Sequence, residues 1–138
     1  MDHRIVDLHV HSTESDGTLT PEDLVAEAKK AGLAAFALTD HDTCQGVCKA
    51  MPLAASAGIE LIPGIELSTD YHGKEVHIVG LYIDIENEQL LKKTAEYRKC
   101  RSERNALMVE ALQKEGLSIT MEELVAENPD CVITRANI

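Results

Sequence analysis

Apolar residues crowd the stretch Arg4–Val10, at Ile5, Val6, Leu8 and Val10, which reads as a buried strand. Thr20-Pro21-Glu22-Asp23 is a helix start: a hydroxyl at the cap, proline at the first helical position, acids in the first turn. That helix is predicted to end at Gly32. Ala34–Thr39 is a second apolar strand, and a second helix covers roughly Thr43–Ala57 before Gly58. Ile59–Leu67 reads as a third strand with a local irregularity at Pro63-Gly64. Lys74–Ile83 alternates, and the short link "TDYHGK" makes it a hairpin partner of the third strand. A long helical pattern runs from Glu86 to about Glu115. A short helix then begins near Thr120, with Glu123 completing a capping box, and ends by Pro129. Strand, helix, strand, helix, strand is βαβ organisation around a parallel sheet. We read 1–138 as one α/β domain, with its chemistry-bearing strands in 1–84 and a helical segment in 86–128.

Composition narrows the function. With 44% hydrophobic and only 3% aromatic residues, the core must rest on Leu, Ile, Val and Ala. A formal net charge of -11 argues against a basic face for duplex DNA. An anionic substrate would need a local attractor, for which bound cations are suited. Cys44, Cys48, Cys100 and Cys131 show neither a disulfide framework nor a CxxC spacing. Cys44 and Cys48 are expected on one face of the second helix. No signal peptide is evident, and no apolar run approaches the ~20 residues of a membrane span. The expectation is a cytoplasmic protein with no membrane partner.

In parallel sheets chemistry gathers at the C-terminal ends of strands. Here His9 and His11 end the first strand and Asp16 follows in its loop. Asp40, His41 and Asp42 end the second strand, Glu66 the third, and His77 lies in the fourth. Histidines at i and i+2 of a strand project to one side and can grip one ion. A carboxylate can bridge two. Mixed imidazole and carboxylate ligands suit Zn, Mn or Fe better than Ca. Two ions about 3.5–4 Å apart would form a clamp for phosphoryl chemistry. His3 is read as a frayed terminal residue and His72 as a solvated loop tip. On the long helix, Tyr97, Cys100, Leu107, Met108 and Ala111 make an apolar stripe, with Arg104 inside it and Arg101 beside it. An inward guanidinium needs an anionic partner, either a core acid or a phosphate. Arg135 is a further phosphate candidate.

The segments "DLHVHSTESDGTLTPEDLVAEAKKAGLAAFALTDHDT", "PGIELST", "EVHIVGL" and "ITRAN" resemble the PHP (polymerase and histidinol phosphatase) family, in its TrpH-like phosphoesterase branch. The resemblance implies a distorted (β/α)7 barrel with two or three divalent ions (Mn, Zn or Fe). By motif, His9 and His11 would hold one ion and Glu66 would bridge it to a second held by His77. Asp16 and His41 would hold a third. The implied reaction is hydrolysis of a phosphate ester by a metal-bound hydroxide. The substrate would be small: a nucleoside monophosphate, a nucleotide bisphosphate or the 5′ end of a short RNA. Arg101, Arg104, Arg135 and Asn137 are the expected phosphate contacts, Asn137 standing where relatives often carry histidine.

A barrel of this general kind needs about 250 residues. The chain therefore reads as the N-terminal portion of one, lacking late ligands. It is expected to turn over poorly alone and to self-associate through open sheet edges. Two other readings remain open on sequence alone. One is a non-catalytic metal-binding module. The other is a metal-dependent amidohydrolase, although no strand ends in a lysine that could be carboxylated.

Overall fold

The computed structural model describes residues 5–127, 129 and 131–138. His3 and Arg4 lie outside the described residues. The elements run β1 (Ile5–Val10), α1 (Pro21–Lys30), β2 (Leu33–Leu38), α2 (Gln45–Ala57), β3 (Glu60–Tyr71), β4 (Lys74–Leu81), α3 (Glu88–Lys114) and α4 (Met121–Glu127), then a 3-10 turn at Arg135–Asn137. The sheet order is β1-β2-β3-β4. β1, β2 and β3 are parallel, and β4 returns antiparallel to β3.

β3 runs past the Leu67 end expected from its apolar run, because its second half has a different partner. Glu60–Pro63 pair with β2, whereas Gly64–Tyr71 pair with β4. Pro63-Gly64 is the handover point. A Cβ on Gly64 would lie 2.7 Å from Thr39 Cγ2, so only glycine lets the strands pass this closely. Beyond β2, the chain touches β3 again through an isolated parallel bridge between His41 and Glu66. That bridge fixes the register of two site residues directly.

The helix ends follow their local chemistry. Thr20 Oγ1 accepts from Asp23 N at 3.1 Å to cap α1, and Thr120 and Glu123 form the reciprocal capping box of α4. α1 packs on β2 and α2 on β3 and α1, and together they bury Val25, Ala28, Phe36, Leu38, Val47, Ala50 and Ala54. Alanines let the helices approach the sheet closely, so this core is dense with Phe36 as its one aromatic side chain among the described residues.

Three expectations fail. β1 is not buried: Ile5, Val6 and Leu8 are 57%, 51% and 43% exposed. Among the described residues it is an edge strand with β2 as its one strand neighbour, and α1 packs on β2 instead. The apolar stripe on α3 is not its buried face either. Cys100, Leu107 and Ala111 are exposed, while Thr94, Arg101, Asn105 and Val109 are buried. Polar residues occupy that face because each has a partner. Asn105 Nδ2 donates to Ile133 O at 2.9 Å, and Thr94 Oγ1 to Leu91 O at 3.0 Å. Arg101 donates through Nε and Nη2 to Asp42 Oδ2 at 3.1 and 2.7 Å, and also to Ser68 Oγ. Cys44 precedes α2 rather than lying inside it, and it is buried while Cys48 is exposed.

Arg101→Met should destabilise the fold by about 3–5 kcal/mol in urea unfolding, because it leaves Asp42 charged and buried without its partner. Leu107→Ala, 66% exposed on the same helix, should change stability by no more than about 0.5 kcal/mol. Burial, with Cys48 nearby, pushes the Cys44 thiol up to about 11. Alkylation mapped by mass spectrometry at about pH 8 should therefore label Cys48 and Cys100 readily, and Cys44 only on unfolding.

Candidate metal centre

The loop after β1 is held from below by a buried acid. Asp40, 1% exposed, accepts from Ser12 N, Ser12 Oγ and Ser15 Oγ at 2.7, 2.7 and 2.8 Å. These contacts explain the small polar run after His11. They fold the loop into a tight turn that presents Asp16. Two glycines make this possible: a Cβ on Gly17 would lie 2.2 Å from His11 O, and one on Gly46 would lie 2.4 Å from Asp40 Oδ2. Burial raises the Asp40 pKa despite these hydrogen bonds.

The Asp40-His41-Asp42 triplet thus divides its labour. Asp40 pins the β1 loop. Asp42, in the left-handed region at φ 55°, holds Arg101 and accepts from Ser68 N at 3.1 Å. His41 alone faces the cluster.

That cluster consists of four imidazoles around two carboxylates. His9, His11, His41 and His77 form a row with successive ring centroids 5.1, 4.7 and 5.0 Å apart. Glu66, 5% exposed, turns its oxygens to opposite sides. Oε2 lies 2.6 Å from His9 Nε2 and 2.9 Å from His11 Nε2, while Oε1 lies 2.6 Å from His77 Nδ1. Asp16 Oδ1 is 2.8 Å from His11 Nδ1, and Oδ2 is 3.4 Å from His41 Nε2. Thr134 Oγ1 donates to Asp16 Oδ2 at 3.1 Å, tying the C-terminal tail to the same rim.

The electrostatics follow from this geometry. Hydrogen bonds from His11 and His41 hold Asp16 far below the usual carboxylate range. Burial would raise Glu66, but hydrogen bonds from His9 and His77 and the charges of His41 and His11 outweigh it and lower the pKa. Burial would lower His11 and His77, but their carboxylate partners raise both.

The donor set fits a transition ion. Three groups, His9–His11–Glu66, His11–Asp16–His41 and His41–Glu66–His77, each keep their ligand atoms within 4.8 Å of one another. Buried His41 leaves Nδ1 without a hydrogen-bond partner among the described residues. A neutral imidazole gives its lone pair to one ion, whereas a carboxylate can serve two. His11 and His41 each belong to two groups and must choose, while Glu66 need not.

The four expected phosphate contacts separate. Arg101 is spent on Asp42 and Ser68. Arg104 and Arg101 both line a cavity of about 360 Å³. Its Nη1 is 3.5 Å from Glu75 Oε1 and its Nη2 donates to Asn105 Oδ1 at 3.0 Å. Arg135 pairs with Glu75 Oε2. Asn137 Oδ1 accepts from Thr134 N at 2.8 Å, closing the 3-10 turn that carries Arg135. His72 is exposed at the hairpin tip, its ring 4.3 Å from that of Tyr71. Sequence reasoning missed Glu75, whose Oε1 lies 3.1 Å from His77 Nε2. The signal was its i, i+2 spacing from His77 on one strand face.

Comparison with known proteins agrees with this arrangement. The PHP domain model matches residues 7–126. The 5'-3' exoribonuclease Rnm of Escherichia coli K12 is 40% identical over 120 residues, 86% of this chain and 41% of its own length. The 3',5'-nucleoside bisphosphate phosphatase of Chromobacterium violaceum is 36% identical over 129 residues, 92% of this chain and 45% of its own. A solved protein of Bifidobacterium adolescentis superposes with a TM-score of 0.88 at 33% identity, over 98% of this chain and 48% of that one. The chain thus spans less than half the length of these relatives. The family match, the shared fold and the identities agree: the chain belongs to the PHP domain family, and its curled sheet is part of that family's α/β barrel.

Proposed function

We propose that this chain carries the metal-holding part of a phosphoesterase acting on nucleotide-like phosphate esters. The observation that carries the reading is Glu66: a nearly buried carboxylate whose two oxygens face different imidazoles. In this reading His9, His11 and Glu66 hold one ion, Glu66 and His77 a second, and Asp16 with His41 a third. When bound, divalent ions would supply the acidity of the attacking water and the charge that offsets the phosphate oxygens. Mn, Zn and Fe all suit these ligands.

The chain's own residues do the positioning. Asp40 fixes the loop that aims Asp16. Glu66 and Asp16 orient the imidazole rings through their hydrogen bonds. Arg104 and Arg135 are the guanidiniums placed to meet a phosphate, while Arg101 positions β3 through Asp42 and Ser68. Asn137 acts on substrate through the turn that carries Arg135. The named activities of the relatives, 5'-3' exoribonuclease and 3',5'-nucleoside bisphosphate phosphatase, support a nucleotide-like phosphate ester as the substrate. No described helix is long and apolar enough to cross a membrane.

Elemental analysis after reconstitution should find bound Mn, Zn or Fe. Glu66→Gln should lose more than one equivalent, while His72→Ala should keep the full content, and equal losses would refute the bridging role. With Mn, release of inorganic phosphate from a nucleoside 3′,5′-bisphosphate should be abolished by chelator and fall by about a hundredfold or more in Glu66→Gln, the scale of a misplaced reacting group.

A further inference from the structure

His77 stands on β4, an edge strand among the described residues, with its side chain 34% exposed. Packing alone leaves such a ring free to turn. Its two nitrogens nonetheless meet two different carboxylates: Nδ1 lies 2.6 Å from Glu66 Oε1, and Nε2 lies 3.1 Å from Glu75 Oε1. Glu75 and His77 are two apart on one strand, so the pleat brings them to the same face. Glu75 is in turn held from outside. Arg135 donates to its Oε2, and Arg104 Nη1 stands 3.5 Å from its Oε1. Arg104 is itself anchored, donating through Nη2 to Asn105 Oδ1 at 3.0 Å on the buried face of α3. Glu75 thus joins β4, α3 and the tail at one side chain, yet it belongs to none of the three candidate ligand groups.

We propose that Glu75 is a positioning residue for the metal position on the His77 side: it accepts the Nε2 hydrogen of His77 and so keeps the Nδ1 lone pair turned toward Glu66. The inference rests on the two-ion reading of Glu66 and adds to it a residue outside the ligand set. A ligating imidazole offers one nitrogen and carries a hydrogen on the other, and the partner of that hydrogen sets which nitrogen is bare and how the ring lies. Glu75 is that partner by distance, and its own aim is fixed by Arg135 and Arg104. His11 shows the same device at the other end of the row, with Asp16 at Nδ1 and Glu66 at Nε2. The tail serves both: Thr134 donates to Asp16, and its neighbour Arg135 donates to Glu75. A guanidinium has five N–H donors, so holding Glu75 leaves donors on both arginines for substrate.

The test is zinc binding by the full chain, read by competition with a chromophoric chelator and by NMR of the histidine ring nitrogens. Glu75→Ala should weaken the zinc that His77→Ala abolishes by about 10–100-fold, the scale of losing an outer partner of a ligand. Glu75→Gln keeps an acceptor oxygen for Nε2–H and should recover most of that loss. Asp70→Asn removes a charge from the same cavity, at a side chain that accepts from Gly73 N. It should change affinity by no more than about twofold, because it acts only through screened charge. In the zinc-loaded wild type, the metal shift should fall on His77 Nδ1, and Nε2 should carry a hydrogen that exchanges slowly with water. Glu75→Ala should lose that slow exchange and Glu75→Gln should keep it. The proposal is overturned if Nε2 takes the metal shift, if Glu75→Ala binds this zinc as tightly as wild type, or if Glu75→Gln or Asp70→Asn loses as much as Glu75→Ala. Thermal melting of each variant checks folding. A wild type that takes up no zinc at His77 overturns the two-ion reading and this proposal together, whereas each of the other results overturns the proposal alone.

Discussion

A carboxylate removed from water has to be answered by hydrogen bonds or positive charge, and Glu66 is answered by three imidazoles. Its position leaves little freedom to the rest of the molecule. It needs β1 to deliver two rings to one side, β4 to lie antiparallel so that His77 reaches the second oxygen, and the chain after β2 to touch β3 again at His41. The handover at Pro63-Gly64 meets these demands: β3 serves β2 with its first half and β4 with its second, and Glu66 lies two residues past the join.

A second tier of buried polar contacts holds that arrangement. Asp40 ties the β1 loop, Asp42 ties α3, and Thr134 ties the tail to Asp16. Each links segments distant in sequence through groups that would be costly to leave unpaired. The loops around the site are therefore fixed by polar chemistry, while the apolar core under α1 and α2 fixes the helices. The same division explains α3: its inward face is set by partners of Arg101 and Asn105, not by hydrophobicity.

Sequence patterning was informative where periodicity and local capping dominate. It placed all four strands, the helices, the hairpin and the capping box of α4, and the motif spacing brought His9, His11, Asp16, His41, Glu66 and His77 to one rim. It failed where tertiary context decides. β1 looks buried by composition, but burial depends on which neighbours cover it, and here it is an edge. Leu107 and Ala111 fall at helical spacing yet face outward, because buried Arg101 and Asn105 gain specific hydrogen bonds. Asp40 and Asp42 are chemically alike in sequence, and only the fold gives them separate tasks. Glu75 was legible from its spacing to His77, but the arginines that make it matter come from 29 and 60 positions later in the chain.

In the proposed function Glu66 lies between two metal positions. Anomalous diffraction from a crystal soaked in Mn tests it most directly. One peak is expected among His9, His11 and Glu66 and another on the His77 side of the same carboxylate. A single peak that leaves one Glu66 oxygen without a metal, or peaks remote from Glu66, would contradict it.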